Sequence, residues 1–162
     1  MSAIDQLIAN NERYAESFTP AASGRPALGV AIVACMDARM DIYAILGLAA
    51  GEAHVIRNAG GEITEDTLRS LTISQHELGT TEIVFMHHTQ CGMQSFTNKE
   101  FKAELLAETG HKPHWATQAF TDVDADVRKS IAKVRESPFL TRSEVVRGFV
   151  FDVSNGRLRE VS

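Results

Sequence analysis

The run Val30-Ala31-Ile32-Val33-Ala34, entered directly after Gly29, decides the fold. Five apolar residues, three of them β-branched, read as a buried strand. Two later runs repeat the pattern: Ala53 to Ile56 (AHVI) and Glu82 to His87 (EIVFMH). Helical patterns separate the three. Asp41 to Leu48 suits a short helix that stops near Gly47 or Gly51. Thr64 to Leu78 sets Leu68, Leu71 and Leu78 on one face, carries Glu65 and Asp66 in its first turn and meets its stop at Gly79. Strands and helices alternating at this spacing predict an α/β fold, with a parallel sheet joined by right-handed crossovers.

Upstream of this unit, Ser2 and Asp5 resemble a capping pair, and Ile4, Leu7, Ile8, Tyr14 and Phe18 recur at roughly helical spacing. Residues 1–26 therefore read as an N-terminal helical arm, detached by the breaker-rich loop Pro20 to Pro26. Downstream, Lys99 to Glu108 and Asp122 to Arg135 are candidate helices. Asn155-Gly156 between Arg147–Val153 and Arg157–Val161 predicts a terminal hairpin. No repeat or linker divides the chain, so residues 1–162 are expected to form a single domain.

With 44% hydrophobic and 23% charged residues, the composition is that of a globular protein. A net charge of −5 argues against nucleic acid as a partner, because phosphate binding draws on clustered Lys and Arg. No apolar run approaches the ~20 residues that cross a bilayer. The first residues lack the basic start and apolar core of a signal peptide. A cytoplasmic location, with no membrane partner, is the expectation.

Only two cysteines occur, Cys35 and Cys91. In a reducing compartment they are inert core residues, a catalytic thiol or metal ligands. Their placement is informative. Cys35 directly follows the first strand run, and His88-Thr89-Gln90-Cys91 follows the third, so both reach the carboxyl ends of parallel strands, where ligand sites form. Two thiolates and an imidazole suit zinc. A structural zinc site closes with a fourth protein ligand, and no third cysteine is present to supply one; three ligands and an open position is the catalytic pattern. Asp37 and Arg39 follow Cys35 at alternate positions, so an acid can sit beside a metal-bound water while the arginine keeps it ionised. The plainer reading of this pair is a local ion bridge.

Other candidates carry less. Arg57-Asn58-Ala59-Gly60-Gly61 matches no nucleotide-binding loop. Its glycines suit close approach of backbone amides to a small anion, or equally a tight turn from strand to helix. His87 reads as a strand residue packed on one sheet face, His54 as a buried structural histidine, and His111-Lys112-Pro113-His114 as a solvated loop.

Taken together, Cys35-Met36-Asp37-Ala38-Arg39, His54 through Gly61 and His88-Thr89-Gln90-Cys91-Gly92 resemble the β-carbonic anhydrases, above all their short prokaryotic members. The likeness is strong from Val30 to Cys91 and weaker over Arg147 to Asp152. It implies one Zn²⁺ per chain on Cys35, His88 and Cys91, with Asp37 and Arg39 as a catalytic dyad, and Gly60 and Gly61 near the substrate. In some family members the aspartate matching Asp37 swings onto the metal. Gln90 stands where short members commonly carry an acid, for which a minor effect is expected.

The resemblance further implies a central, mainly parallel sheet of four strands plus an additional strand, flanked by helices. It also implies a homodimer or dimer of dimers, embraced by the N-terminal arm. The implied reaction is reversible hydration of carbon dioxide to bicarbonate by a zinc-bound hydroxide, with activity rising toward alkaline pH because two thiolates offset the charge of zinc. Carbonyl sulfide or carbon disulfide hydrolysis on the same scaffold is the alternative. A zinc-stabilised binding protein without turnover, or a cysteine enzyme using Cys91 and His88, are readings from other classes.

Overall fold

The computed structural model describes residues 2–20 and 23–162. Its elements in chain order are α1 (Ala3–Ala15), β1 (Val30–Cys35), α2 (Ile42–Leu46), β2 (Ala53–Asn58), α3 (Glu65–His76), β3 (Glu82–His88), α4 (Asn98–Thr109), α5 (Val123–Glu136), β4 (Val145–Asp152) and β5 (Arg157–Val161), with short 3₁₀ turns at Ala59–Gly61 and Gly92–Gln94. One five-stranded sheet runs in the order β2-β1-β3-β4-β5. The first four strands are parallel and β5 returns antiparallel to β4. This is the single α/β domain that the sequence predicts, with the four parallel strands and one more that the family resemblance implies.

Side chains of β1 alternate between two cores, as a strand covered on both faces requires. Ile32 and Ala34 join Met40, Ile42, Met86 and Phe151 on one face. Ala31 and Val33 join Leu71, Ile83, Phe85 and Val134 on the other. Gly148 in β4 is the price of that second layer: a Cβ there would run into Val127, so α5 could not lie on the sheet.

Boundaries differ from the sequence reading in ways that bear on the site. β1 includes Cys35, β3 includes His88, and β2 runs on through Arg57 and Asn58, so these residues sit on strand ends, with Asp37, Arg39 and Cys91 in the loops just after. β4 starts two residues before Arg147. The first helix stops at Ala15, so Phe18 lies beyond it, its ring 5.6 Å from that of Tyr14. Ser2 and Asp5 do close a capping box on α1. No residue of this helix is buried, and Ile4, Leu7 and Ile8 all face solvent. Within the predicted breaker loop, Ala21 and Ala22 lie outside the described residues, as does Met1 of the arm.

Candidate active site

Because β1 and β3 are parallel neighbours, their carboxyl ends deliver Cys35 and His88 side by side, and a tight turn brings Cys91 back beside them. All three are buried, and their ligand atoms lie within 4.8 Å of one another. The sulfurs of Cys35 and Cys91 are 3.9 Å apart. Two sulfurs of a tetrahedron with Zn–S bonds near 2.3 Å would be separated by about 3.8 Å. Nδ1 of His88 donates to the carbonyl of Thr89 at 2.9 Å, which leaves the lone pair on Nε2. That nitrogen is buried without a hydrogen-bond partner. The donor set, its spacing and the orphaned nitrogen fit a zinc ion.

Backbone and side chains prepare the thiols. Cys91 hydrogen-bonds Cys35 and holds its thiol far below the ordinary value, helped by the amides of Asp37 and Gly60. Cys91 is pushed up in return, by that same contact and by burial. Burial pulls His88 down, but the hydrogen bond and charge of Cys35 outweigh it, and the ring ends raised.

Asp37 and Arg39 come together as predicted. Arg39 Nε donates to Oδ1 at 2.9 Å and Nη2 to Oδ2 at 2.8 Å, a two-pronged contact, while its backbone amide adds a third bond at 3.0 Å. These contacts hold the Asp37 carboxyl well below the usual carboxylate range. Oδ2 of Asp37 lies 3.7 Å from His88 Nε2. Arg39 also donates to the carbonyl of Gln90, whose φ of 56° puts a non-glycine residue in the left-handed region.

Arg57 is the residue that sequence reasoning left without a role. From the end of β2 its Nε donates to the carbonyl of Cys35 at 3.0 Å and its Nη2 to that of Asp37 at 2.7 Å, bracing the segment that carries both. Its position at a strand end, next to the glycines, was the available signal. The glycines form a tight turn: Gly60 and Gly61 are buried at φ 84° and 75°, and a Cβ on Gly61 would sit 2.9 Å from the amide nitrogen of Cys35. Asn58 closes the turn, its side chain holding the amide and carbonyl of Glu62.

The remaining histidines stay apart from this centre. His54, early in β2, bonds Ser74 and the carbonyl of Gly24, at the far end of the strand. His111 and His114 are exposed. His87 is fully buried against Asp126 and the ring of Phe120.

The architecture and the residues both have known counterparts. A family profile described as carbonic anhydrase matches residues 30–158. Beta-carbonic anhydrase 1 of Mycobacterium tuberculosis is 49% identical over 162 residues, covering 100% of this chain and 99% of that one. A carbon disulfide hydrolase of Acidithiobacillus thiooxidans is 33% identical over 149 residues, covering 79% of this chain and 74% of the other. Among solved structures, carbonic anhydrase from Streptococcus mutans superposes with a TM-score of 0.94 at 43% identity, covering 100% of this chain and 99% of its own. The matched span contains the Cys35, His88 and Cys91 cluster together with Asp37 and Arg39, and the chain belongs to the β-carbonic anhydrase family.

Proposed function

We propose that the protein catalyses the reversible hydration of carbon dioxide to bicarbonate at one zinc ion per chain, held by Cys35, His88 and Cys91. The observation that carries this reading is the buried, unpartnered Nε2 of His88 facing two sulfurs, with an ionised aspartate 3.7 Å away. Zinc bound there would supply Lewis acidity, making water a nucleophile well below the pH at which free water ionises. The residues of the chain do the rest. Asp37, kept ionised by Arg39, accepts a hydrogen bond from the attacking water at Oδ2 and so turns a lone pair toward the carbon of the substrate. Arg57 fixes the Cys35–Asp37 segment, so that the acid and the ligand keep their spacing. Gly60 and Gly61 pack the turn tightly against the Cys35 backbone, and this close approach holds the small-substrate side of the site in place beside the ligands.

Carbon disulfide and carbonyl sulfide are linear and electrophilic as carbon dioxide is, and the resemblance to carbon disulfide hydrolases keeps them as a second reading. Parallel assays on one zinc-loaded preparation separate the two. Fast hydration of CO2 with little CS2 or COS turnover is the expected result; the reverse ratio would overturn it. A rate that rises toward alkaline pH is expected as well, since two thiolates neutralise the charge of the zinc.

The exposed apolar row of α1 supports assembly with a second copy of this chain, in a homodimer or a dimer of dimers. Two free cysteines suit a reducing compartment such as the cytoplasm. No helix among the described residues is long and apolar enough to cross a membrane.

A further inference from the structure

His87 precedes His88 in β3 and therefore points to the opposite face of the sheet. There its Nε2 lies 3.0 Å from Oδ2 of Asp126 on α5. Glu62, just after the glycine turn, stands beside both, and the ligand atoms of Glu62, His87 and Asp126 all fall within 4.8 Å of one another. Each of the three residues is at least 97% buried. Both carboxylate oxygens of Glu62 lack a hydrogen-bond donor, and so does Nδ1 of His87 lack a partner. Burial and the neighbouring Asp126 push the Glu62 carboxyl up to about 8. Only one of the two acids is ionised with the cations at hand, and Glu62 keeps its proton beside the charged Asp126.

Lysine answers this only in part. Lys129 Nζ is 3.1 Å from Asp126 but 4.0 Å from Glu62, on a half-exposed side chain. Lys133 spends its ammonium on the carbonyl of Ile63 and on Gln118.

We propose that Glu62, His87 and Asp126 form a second metal site, for a divalent cation that prefers oxygen and nitrogen donors. Two carboxylates and one imidazole, without sulfur, make a harder donor set than the two thiolates and imidazole of the main cluster, one that accepts ions such as Mn²⁺. The 3.0 Å separation of His87 Nε2 and Asp126 Oδ2 matches an edge between adjacent ligands each about 2.1 Å from one ion. A divalent cation gives the Glu62 oxygens the partner they lack and balances both carboxylates, while Lys129 withdraws along its half-exposed side chain. A cavity of about 350 Å³, lined by Phe120, Asp122, Asp126 and Lys129 among others, reaches the cluster on its Asp126 side.

The test is a titration of zinc-loaded protein with MnCl₂, reading free Mn²⁺ by electron paramagnetic resonance and zinc content by elemental analysis. Wild-type protein is expected to take up about one Mn²⁺ without releasing zinc. Glu62→Gln should weaken that binding at least about tenfold, whereas Lys129→Met, which removes the competing ammonium at a tolerant exposed position, should strengthen it several-fold. No saturable uptake in either wild type or Lys129→Met, uptake unchanged in Glu62→Gln, or uptake matched by loss of zinc would each overturn the proposal.

Discussion

His88 Nε2 faces Asp37 Oδ2 across 3.7 Å, and that same oxygen accepts a hydrogen bond from Arg39 Nη2 at 2.8 Å. The acid is thus close to the metal position yet tied away from it by charge-assisted bonds. Arg39 does two jobs through one contact, setting the charge of Asp37 and its direction.

Asp37→Ala should therefore lower kcat/KM for CO2 by about 10²- to 10⁴-fold while zinc content stays the same, measured by stopped-flow hydration and metal analysis. Arg39→Ala leaves the acid in place but unclamped, and a smaller loss is expected. If Asp37→Ala altered melting temperature alone, the chain would be better described as a zinc-stabilised binding protein.

Replacing a ligand acts on the metal first. Cys91→Ser exchanges a thiolate for a hard, neutral donor, and zinc content should fall from about one per chain to a small fraction, with activity falling in step. Wild-type protein that purifies active but zinc-free would favour the alternative in which Cys91 is the nucleophile and His88 its base.

At Gly61 the backbone leaves no space. A methyl group there would meet Cys35 N at 2.9 Å and the carbonyl carbon of Ala34 at 3.0 Å, on a residue whose φ is 75°. Gly61→Ala is expected to cost roughly 2 kcal/mol, a drop of about 4–8 °C in Tm for a chain of this size, and to weaken zinc retention by displacing Cys35. Gly60→Ala shares the positive φ, but its methyl would touch the flexible side chains of Glu62 and Met93, so the loss of zinc should be milder. Thermal melts read with zinc analysis on both variants decide the order.

The strand run beginning at Val30 disclosed the parallel sheet because an uninterrupted apolar run has few other uses in a chain of this composition. The Cys35, His88 and Cys91 cluster was legible for a related reason: Cys35 and His88 end neighbouring strands, so sequence position nearly fixes spatial position. Arg57 was hidden because its role depends on which carbonyls its guanidinium reaches, and those belong to a segment twenty residues earlier. The partnership of Glu62 with Asp126 was hidden more deeply. They come from a turn and a helix more than sixty positions apart, and each alone looks like an ordinary surface acid. Asp126 lies in the first turn of α5, where acids ordinarily face solvent, yet it is buried.

Glu62 gives stability a pH dependence of definite sign. Its value in the folded chain is raised from 4.5 to about 8, chiefly by burial, so the native state keeps a proton that the unfolded chain releases. The contribution is fully present below about 4.5 and is lost as pH climbs through about 8. Asp126 runs the other way: hydrogen bonds to His87 and its neighbours overcome burial and depress it, so its contribution is lost only in acid. Glu62→Gln should flatten the decline in Tm between pH 5 and pH 9, without added manganese. Parallel curves for the variant and wild type would refute the assignment.

The N-terminal helix has no core of its own. α1 spans 13 residues, yet Ile4, Leu7 and Ile8 are 68%, 66% and 58% exposed. Isolated helices shorter than about 12–15 residues are marginal in water, so a capped helix with an open apolar row calls for a surface to cover it. A second copy supplies that surface if residues 1–26 are a dimerisation arm. The double variant Leu7→Asp/Ile8→Asp keeps the capping box while charging the apolar row. It should shift the protein from dimer toward monomer in analytical ultracentrifugation and should lower zinc-normalised activity if the active site depends on the assembled form. Deleting residues 1–26 should have the same effect, because the backbone bonds of Ala27 and Leu28 to Gly51 and Glu52 anchor the body just after the cut. An unchanged dimer in both variants would place the subunit interface elsewhere on the molecule.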